Sequence, residues 1–78
     1  MLSVRVISPE AVIFEGEAMH LIAPGSEGSL GILPGHSPLY AQLVQGTVFI
    51  TNSQETVIPI VAGIMRVEAN TVLILTGY

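Results

Sequence analysis

Gly46-Thr47-Val48-Phe49-Ile50-Thr51-Asn52-Ser53-Gln54-Glu55-Thr56-Val57-Ile58-Pro59-Ile60-Val61-Ala62-Gly63-Ile64-Met65-Arg66-Val67-Glu68-Ala69-Asn70-Thr71-Val72-Leu73-Ile74-Leu75-Thr76 alternates strand-forming runs with turn residues. Residues 47–51 are rich in β-branched and aromatic side chains, which suit a pleated surface. Asn52-Ser53 is a short connection, so residues 47–51 and 55–61 read as a hairpin. Pro59 cannot donate to a ladder, which puts the second of these strands at an edge or a bulge. Ala62-Gly63 reads as a further turn. Residues 64–68 alternate, and Ala69-Asn70 forms the turn into a last strand over residues 71–76.

The pattern continues toward the N-terminus. Residues 3–8 alternate, with Val4 and Val6 on one face and Arg5 and Ile7 on the other. Ser8-Pro9-Glu10 is a turn, since proline pre-sets a turn angle. Residues 11–15 follow as a strand that Gly16 is expected to break. Residues 17–23 read as the next strand, with Met19, Leu21 and Ala23 inward and His20 outward. Residues 30–33 form a short strand between glycines. Residues 39–44 suit either a strand or the first turn of a helix. No window of about 10 residues carries a helical period. Short strands at near-regular spacing indicate an all-β sandwich or barrel.

The chain has 78 residues, enough for a single domain over residues 1–78. Half of the residues are hydrophobic and 10% are charged, against a usual charged share of about 25%. A domain of this size buries only about 60% of the surface that its unfolded chain exposes. Apolar side chains are therefore expected in a contiguous surface patch, the mark of a partner contact. The net charge is −4, with Arg5 and Arg66 the only basic side chains against six glutamates. Nucleic-acid binding and a polybasic membrane patch are both disfavoured. Cysteine is absent, which excludes disulfides and thiolate metal sites. The longest uncharged apolar stretch, residues 57–65, is far short of the roughly 20 residues of a membrane helix. Neither direct membrane insertion nor a signal peptide is expected.

Between the two halves lies Pro24-Gly25-Ser26-Glu27-Gly28-Ser29-Leu30-Gly31-Ile32-Leu33-Pro34-Gly35-His36-Ser37-Pro38-Leu39. Its glycines and prolines impose a particular backbone shape. Gly31 and Gly35 are the positions expected to need a left-handed φ. A phosphate loop would need a helix N-terminus and, commonly, a lysine behind the glycines; neither follows here. Glu15 and Glu17 flank Gly16 and read as solvated surface carboxylates. His20 and His36 find no third metal ligand nearby, so no metal and no cofactor is expected. His36 is either hydrogen-bonded to its own loop or presented as a contact residue. The serines lack a nucleophile elbow, and no Asp is available to orient a histidine. A lipoate- or biotin-carrying domain would need a lysine at a hairpin tip, and the chain has none.

The pattern Pro24-Gly25, Gly28, Gly31-Ile32-Leu33-Pro34-Gly35-His36, Pro38-Leu39 resembles the signature of the epsilon subunit of F-type ATP synthases. The resemblance extends to Val6-Ile7-Ser8-Pro9, to Gly46-Thr47-Val48-Phe49-Ile50, to Ile60-Val61-Ala62-Gly63-Ile64-Met65-Arg66-Val67 and to Val72-Leu73-Ile74-Leu75. It implies a two-sheet β-sandwich of short, mainly antiparallel strands. It also implies a non-catalytic central-stalk subunit, peripheral on the cytoplasmic face of a bacterial inner membrane. In this family the sandwich passes proton-driven rotation of the c-ring to the gamma subunit and the catalytic head. Carried over by position, Glu27, Gly28, Ser29 and Leu30 would meet the c-ring loops. His36, Leu39, Tyr40 and Ala41 would face gamma. Gly25, Gly31, Pro34 and Gly35 would shape the loop.

Two departures stand out. Many relatives carry an acidic residue at the position of Ser29, so a charged contact with the ring would rest on Glu27. Relatives also continue into a pair of regulatory C-terminal helices, whereas this sequence stops at Tyr78; helix-based inhibition is therefore not expected of these 78 residues. The alternative from another class is a free-standing β-sandwich that binds a small ligand or saccharide. It would need exposed aromatic platforms, and the chain offers no Trp, with Phe14, Phe49, Tyr40 and Tyr78 as its aromatics.

Overall fold

The computed structural model describes residues 1–77; Tyr78, an aromatic candidate of the saccharide reading, lies outside the described residues. The strands are β1 (Leu2–Ile7), β2 (Val12–Ala18), β3 (His20–Gly25), β4 (Gly28–Ile32), β5 (Leu39–Leu43), β6 (Gly46–Thr51), β7 (Glu55–Ile60), β8 (Ala62–Glu68) and β9 (Thr71–Gly77). They pair in the order β2-β1-β9-β8-β5-β3-β6-β7, with β4 on the flank of β3. All pairs are antiparallel except β1 with β9. The all-β sandwich expected from the sequence is present, built from one continuous sheet folded over on itself.

The fold line lies between β5 and β3, which share a single register pair, Gly25 with Leu43. On one side β2, β1, β9, β8 and β5 form one layer; on the other, β4, β3, β6 and β7 form the second. Strict alternation supplies the core. Leu2, Val4, Val6, Met65, Val67, Val72 and Ile74 of the first layer are fully buried. They belong to one cluster with Leu21, Ala23, Val48, Ile50, Ile58 and Ile60 of the second. Burying each large side chain contributes about 1.5–3 kcal/mol, the main offset to the ordering entropy of so short a chain.

The β8–β9 hairpin turns through Ala69 (φ 50°) and Asn70 (φ 62°), with Glu68 opposite Thr71. Two successive positive φ values match the right-handed twist of the flanking strands. Pro59 sits on β7 at the end of the strand order, opposite Thr47, as its missing donor requires. Residues 39–44 resolve in favour of the strand, β5.

Three local expectations are corrected. Gly16 does not end a strand; it pairs with Val4 inside β2, with the Phe14 ring over the space where its side chain would be. The strand expected over residues 17–23 is divided at Met19. The chain changes layer there, Met19 N–H donates to the Thr51 carbonyl (2.7 Å), and the side chain turns outward at 53% exposure. Ala62 and Gly63 are strand residues of β8, and the crossing from β7 to β8 is made by the single residue Val61. A Cβ at Gly63 would lie 2.6 Å from the Leu75 carbonyl oxygen, so glycine is required by the close approach of β9.

Candidate functional site

Glu27, Gly28, Ser29 and Leu30 occupy the β3–β4 hairpin. Gly25 pairs with Gly28, leaving Ser26 and Glu27 as a two-residue turn. Gly28 adopts φ 127°, open to glycine alone at little cost. Glu27, Gly28 and Ser29 are exposed, whereas Leu30 is half-buried and packs against the core. Gly25 is buried, and a Cβ there would meet the Gly28 carbonyl oxygen at 2.7 Å and Leu30 Cδ1 at 2.9 Å. Its glycine is demanded by close packing, not by φ.

This hairpin is tied to β5 through the backbone. Ser26 N–H donates to the Gln42 carbonyl (3.0 Å), and Val44 N–H donates to the Pro24 carbonyl (2.9 Å). The tie brings the two contact sets expected from the sequence against each other. Residues 25–30 and 39–42 line one open depression of about 380 Å³. Along β5, Leu39 and Ala41 point toward the core, and Tyr40 points outward with 71% of its surface exposed.

His36 lies outside this depression. Leu33-Pro34-Gly35-His36 closes as a turn, with His36 N–H donating to the Leu33 carbonyl (3.1 Å). Pro34 at its second position and Gly35 (φ 83°) at its third are the signature of a type II turn. His36 is half-buried, its Nδ1 2.7 Å from the Ser37 carbonyl oxygen, so the ring is bonded within its own loop. Gly31 differs from Gly35. It pairs with Ile22 inside β4, lies outside the left-handed region, and has nothing within 4 Å of a Cβ position. The expectation that a side chain at Gly31 distorts the loop is therefore corrected.

Sequence reasoning missed Asn70 as part of this region. Its side-chain Oδ1 accepts from Gly35 N–H at 2.7 Å, across 35 residues. It also missed Gly46, where a Cβ would meet the Pro24 ring at 2.7 Å. Both contacts are made across the fold, and nothing local to either residue signals them.

The outer face of the first layer carries the expected apolar surface. Ile64 pairs with Leu75, Leu75 with Ile7, and Ile7 with Val12, an apolar row across four strands. Leu75 (47%), Val12 (51%) and Ile64 (39%) are exposed along it. The neighbouring row holds Tyr40, Arg66, Leu73, Arg5 and Glu15. Arg5 Nε lies 3.1 Å from Glu15 Oε2, an exposed ion pair of small energetic weight. Among the described residues no three His, Asp or Glu side chains gather in metal-binding proximity. Among the described residues no helix is long and apolar enough to cross a membrane.

Comparison with known proteins matches residues 1–77 to the family model described as ATP synthase, Delta/Epsilon chain, beta-sandwich domain. The chain is 45% identical over 78 residues to the ATP synthase epsilon chain of Leptospira borgpetersenii serovar Hardjo-bovis, covering 99% of this chain and 61% of that protein. It is 43% identical over 77 residues to the ATP synthase epsilon chain of Bordetella avium, covering 96% of this chain and 55% of that protein. The chain thus spans under two thirds of the length of these relatives. Its fold matches a chain in the Euglena gracilis mitochondrial ATP synthase structure (OSCP/F1/c-ring) with a TM-score of 0.89 at 22% identity, over 96% of this chain and 49% of that one. It also matches a chain in the Tetrahymena thermophila mitochondrial ATP synthase central stalk/c-ring structure, with a TM-score of 0.82 at 22% identity, over 99% of this chain and 63% of that one. Matched through nearly its whole length, this chain belongs to the ATP synthase delta/epsilon-chain β-sandwich family.

Proposed function

We propose that this sandwich is a non-catalytic central-stalk element of a rotary F-type ATP synthase. In this reading it joins the c-ring to the gamma subunit, so that proton-driven rotation reaches the catalytic head. Residues 27–30 meet the c-ring loops, and His36, Leu39, Tyr40 and Ala41 face gamma. The protein is then peripheral on the cytoplasmic face of a bacterial inner membrane, held there by its partners.

The observation that carries this reading, beyond family membership, is the stiff connection between the two contact sets. A coupling element must transmit load without yielding. Here the hairpin tip and β5 share main-chain hydrogen bonds, and Gly25 and Leu30 pack tightly at the hairpin base. Glu27 gives the tip a negative charge, which complements a basic ring loop and guides docking more than it adds affinity.

The test is reconstitution. Synthase depleted of this subunit should regain proton-coupled ATP synthesis when the full-length protein is added back. Glu27→Ala together with Ser29→Ala should weaken attachment to the c-ring and leave the sandwich folded. Full coupling in the depleted enzyme, or no stoichiometric retention of the added protein, would refute the proposal.

A further inference from the structure

We infer that Asn70 is a positioning residue for the gamma-facing surface, acting through the Gly35 amide; the inference rests on the gamma reading proposed above. Asn70 sits at a junction of three segments. Its carbonyl accepts from Ser3 N–H at 2.8 Å, which ties the β8–β9 turn to the start of β1. Its Oδ1 accepts from Gly35 N–H at 2.7 Å, which ties the same turn to the β4–β5 loop. Among the described residues, this is the only side-chain hydrogen bond that links residues 33–38 to another part of the chain.

The bond falls on the peptide plane that defines the type II turn. Pro34 has no N–H, and the remaining bonds of the loop are internal: His36 N–H to the Leu33 carbonyl, and His36 Nδ1 with the Ser37 carbonyl. Those bonds shape the loop without fixing its direction relative to the sandwich. Asn70 supplies the external reference. It holds the Pro34–Gly35 peptide, and through it the direction of His36 and of the chain entering β5 at Leu39 and Tyr40. The left-handed φ of 62° at Asn70 suits the role, because Asn, like Asp, adopts that conformation more readily than most residues while carrying a side-chain acceptor.

The experiment compares Asn70→Gly with Asn70→Asp in the full-length protein. Glycine keeps the turn's φ and removes the acceptor; aspartate keeps both the acceptor and tolerance of φ. Two quantities are read: hydrogen exchange at the Gly35 amide, and affinity for synthase head that carries gamma but lacks this subunit. Asn70→Gly should accelerate Gly35 exchange and lower that affinity by roughly three- to tenfold, the span of one ordinary hydrogen bond. Exchange at Met65 and Ile74 in the core should not change, and Asn70→Asp should stay near wild type in both readings. Affinity unchanged in Asn70→Gly, while His36→Ala and Tyr40→Ser weaken binding, would overturn the positioning role and leave the gamma reading standing. Wild-type affinity in all of these variants would remove the gamma reading and this inference together. Asn70→Asp as weak as Asn70→Gly would also overturn it, because the acceptor would not be the cause.

Discussion

Gly25→Ala and Gly31→Ala should have opposite effects, although both glycines belong to one spaced series. At Gly25 the new Cβ would lie 2.7 Å from the Gly28 carbonyl oxygen, 2.9 Å from Leu30 Cδ1 and 3.0 Å from Leu30 Cγ. The leucine can change rotamer, but the carbonyl belongs to the two-residue hairpin and moves only if the turn moves. Overpacking of this kind costs about 1–3 kcal/mol. Loss of glycine's freedom in the unfolded chain offsets about 0.4–1 kcal/mol of that. The net expectation is destabilisation by about 1–2 kcal/mol, or a fall in Tm of roughly 5–15 °C for a domain of this size. At Gly31 no atom lies within 4 Å of the new Cβ, and φ lies outside the left-handed region. There the unfolded-state term stands alone, and stability should rise by up to about 1 kcal/mol. Urea and thermal unfolding followed by far-ultraviolet circular dichroism measure both. Gly25→Ala as stable as wild type, or Gly31→Ala as damaging as Gly25→Ala, would refute the steric argument.

Gly63→Ala should be more damaging than Gly25→Ala, because its Cβ would meet the Leu75 carbonyl at 2.6 Å between paired strands; a lower urea midpoint checks this. Arg5→Ala should shift the urea midpoint very little, since its partner Glu15 is 65% exposed and such pairs contribute about 0–1 kcal/mol. Gly35→Ala should cost about 1–2 kcal/mol through its φ of 83° despite open space around it, and a double mutant with Gly31→Ala should be additive within experimental error. Tyr40→Ser should leave the unfolding midpoint nearly unchanged, its side chain being 71% exposed, while weakening capture by gamma-containing synthase head in a pull-down titration.

The strands that could be read from sequence are those whose local signals agree with their tertiary setting. In β1, β8 and β9 alternation and burial coincide, because each strand has one face on the core and one on solvent. Pro59 announced its edge strand through its missing N–H. The misreadings at Met19 and at Ala62-Gly63 occur where the chain changes layer. Met19 continues the apolar alternation of Leu21 and Ala23, but the chain crosses between layers at that residue and its side chain is turned outward. Gly16 and Gly63 look like strand breakers locally, whereas each fills a place where a ring or a neighbouring strand comes close.

The same division runs through the candidate site. The loop's constrained shape was legible in its Gly-Pro spacing, because steric limits on φ act on each residue alone, whereas the proposed contact residues came from the family resemblance alone. Gly35, expected to need a left-handed φ, adopts 83°. The meeting of residues 25–30 with residues 39–42, and the bond from Asn70 to Gly35, depend on how the sheet folds at Gly25 and Leu43. Contacts between residues 35 positions apart leave no periodic trace in either segment. Sequence alone determined an all-β chain with a conformationally restricted Gly-Pro loop, since alternation and backbone sterics are local, and its motifs carried the family resemblance. The tertiary structure alone decided which glycines are irreplaceable and what holds the loop in place, since those are set by atoms brought close only when the two layers pack.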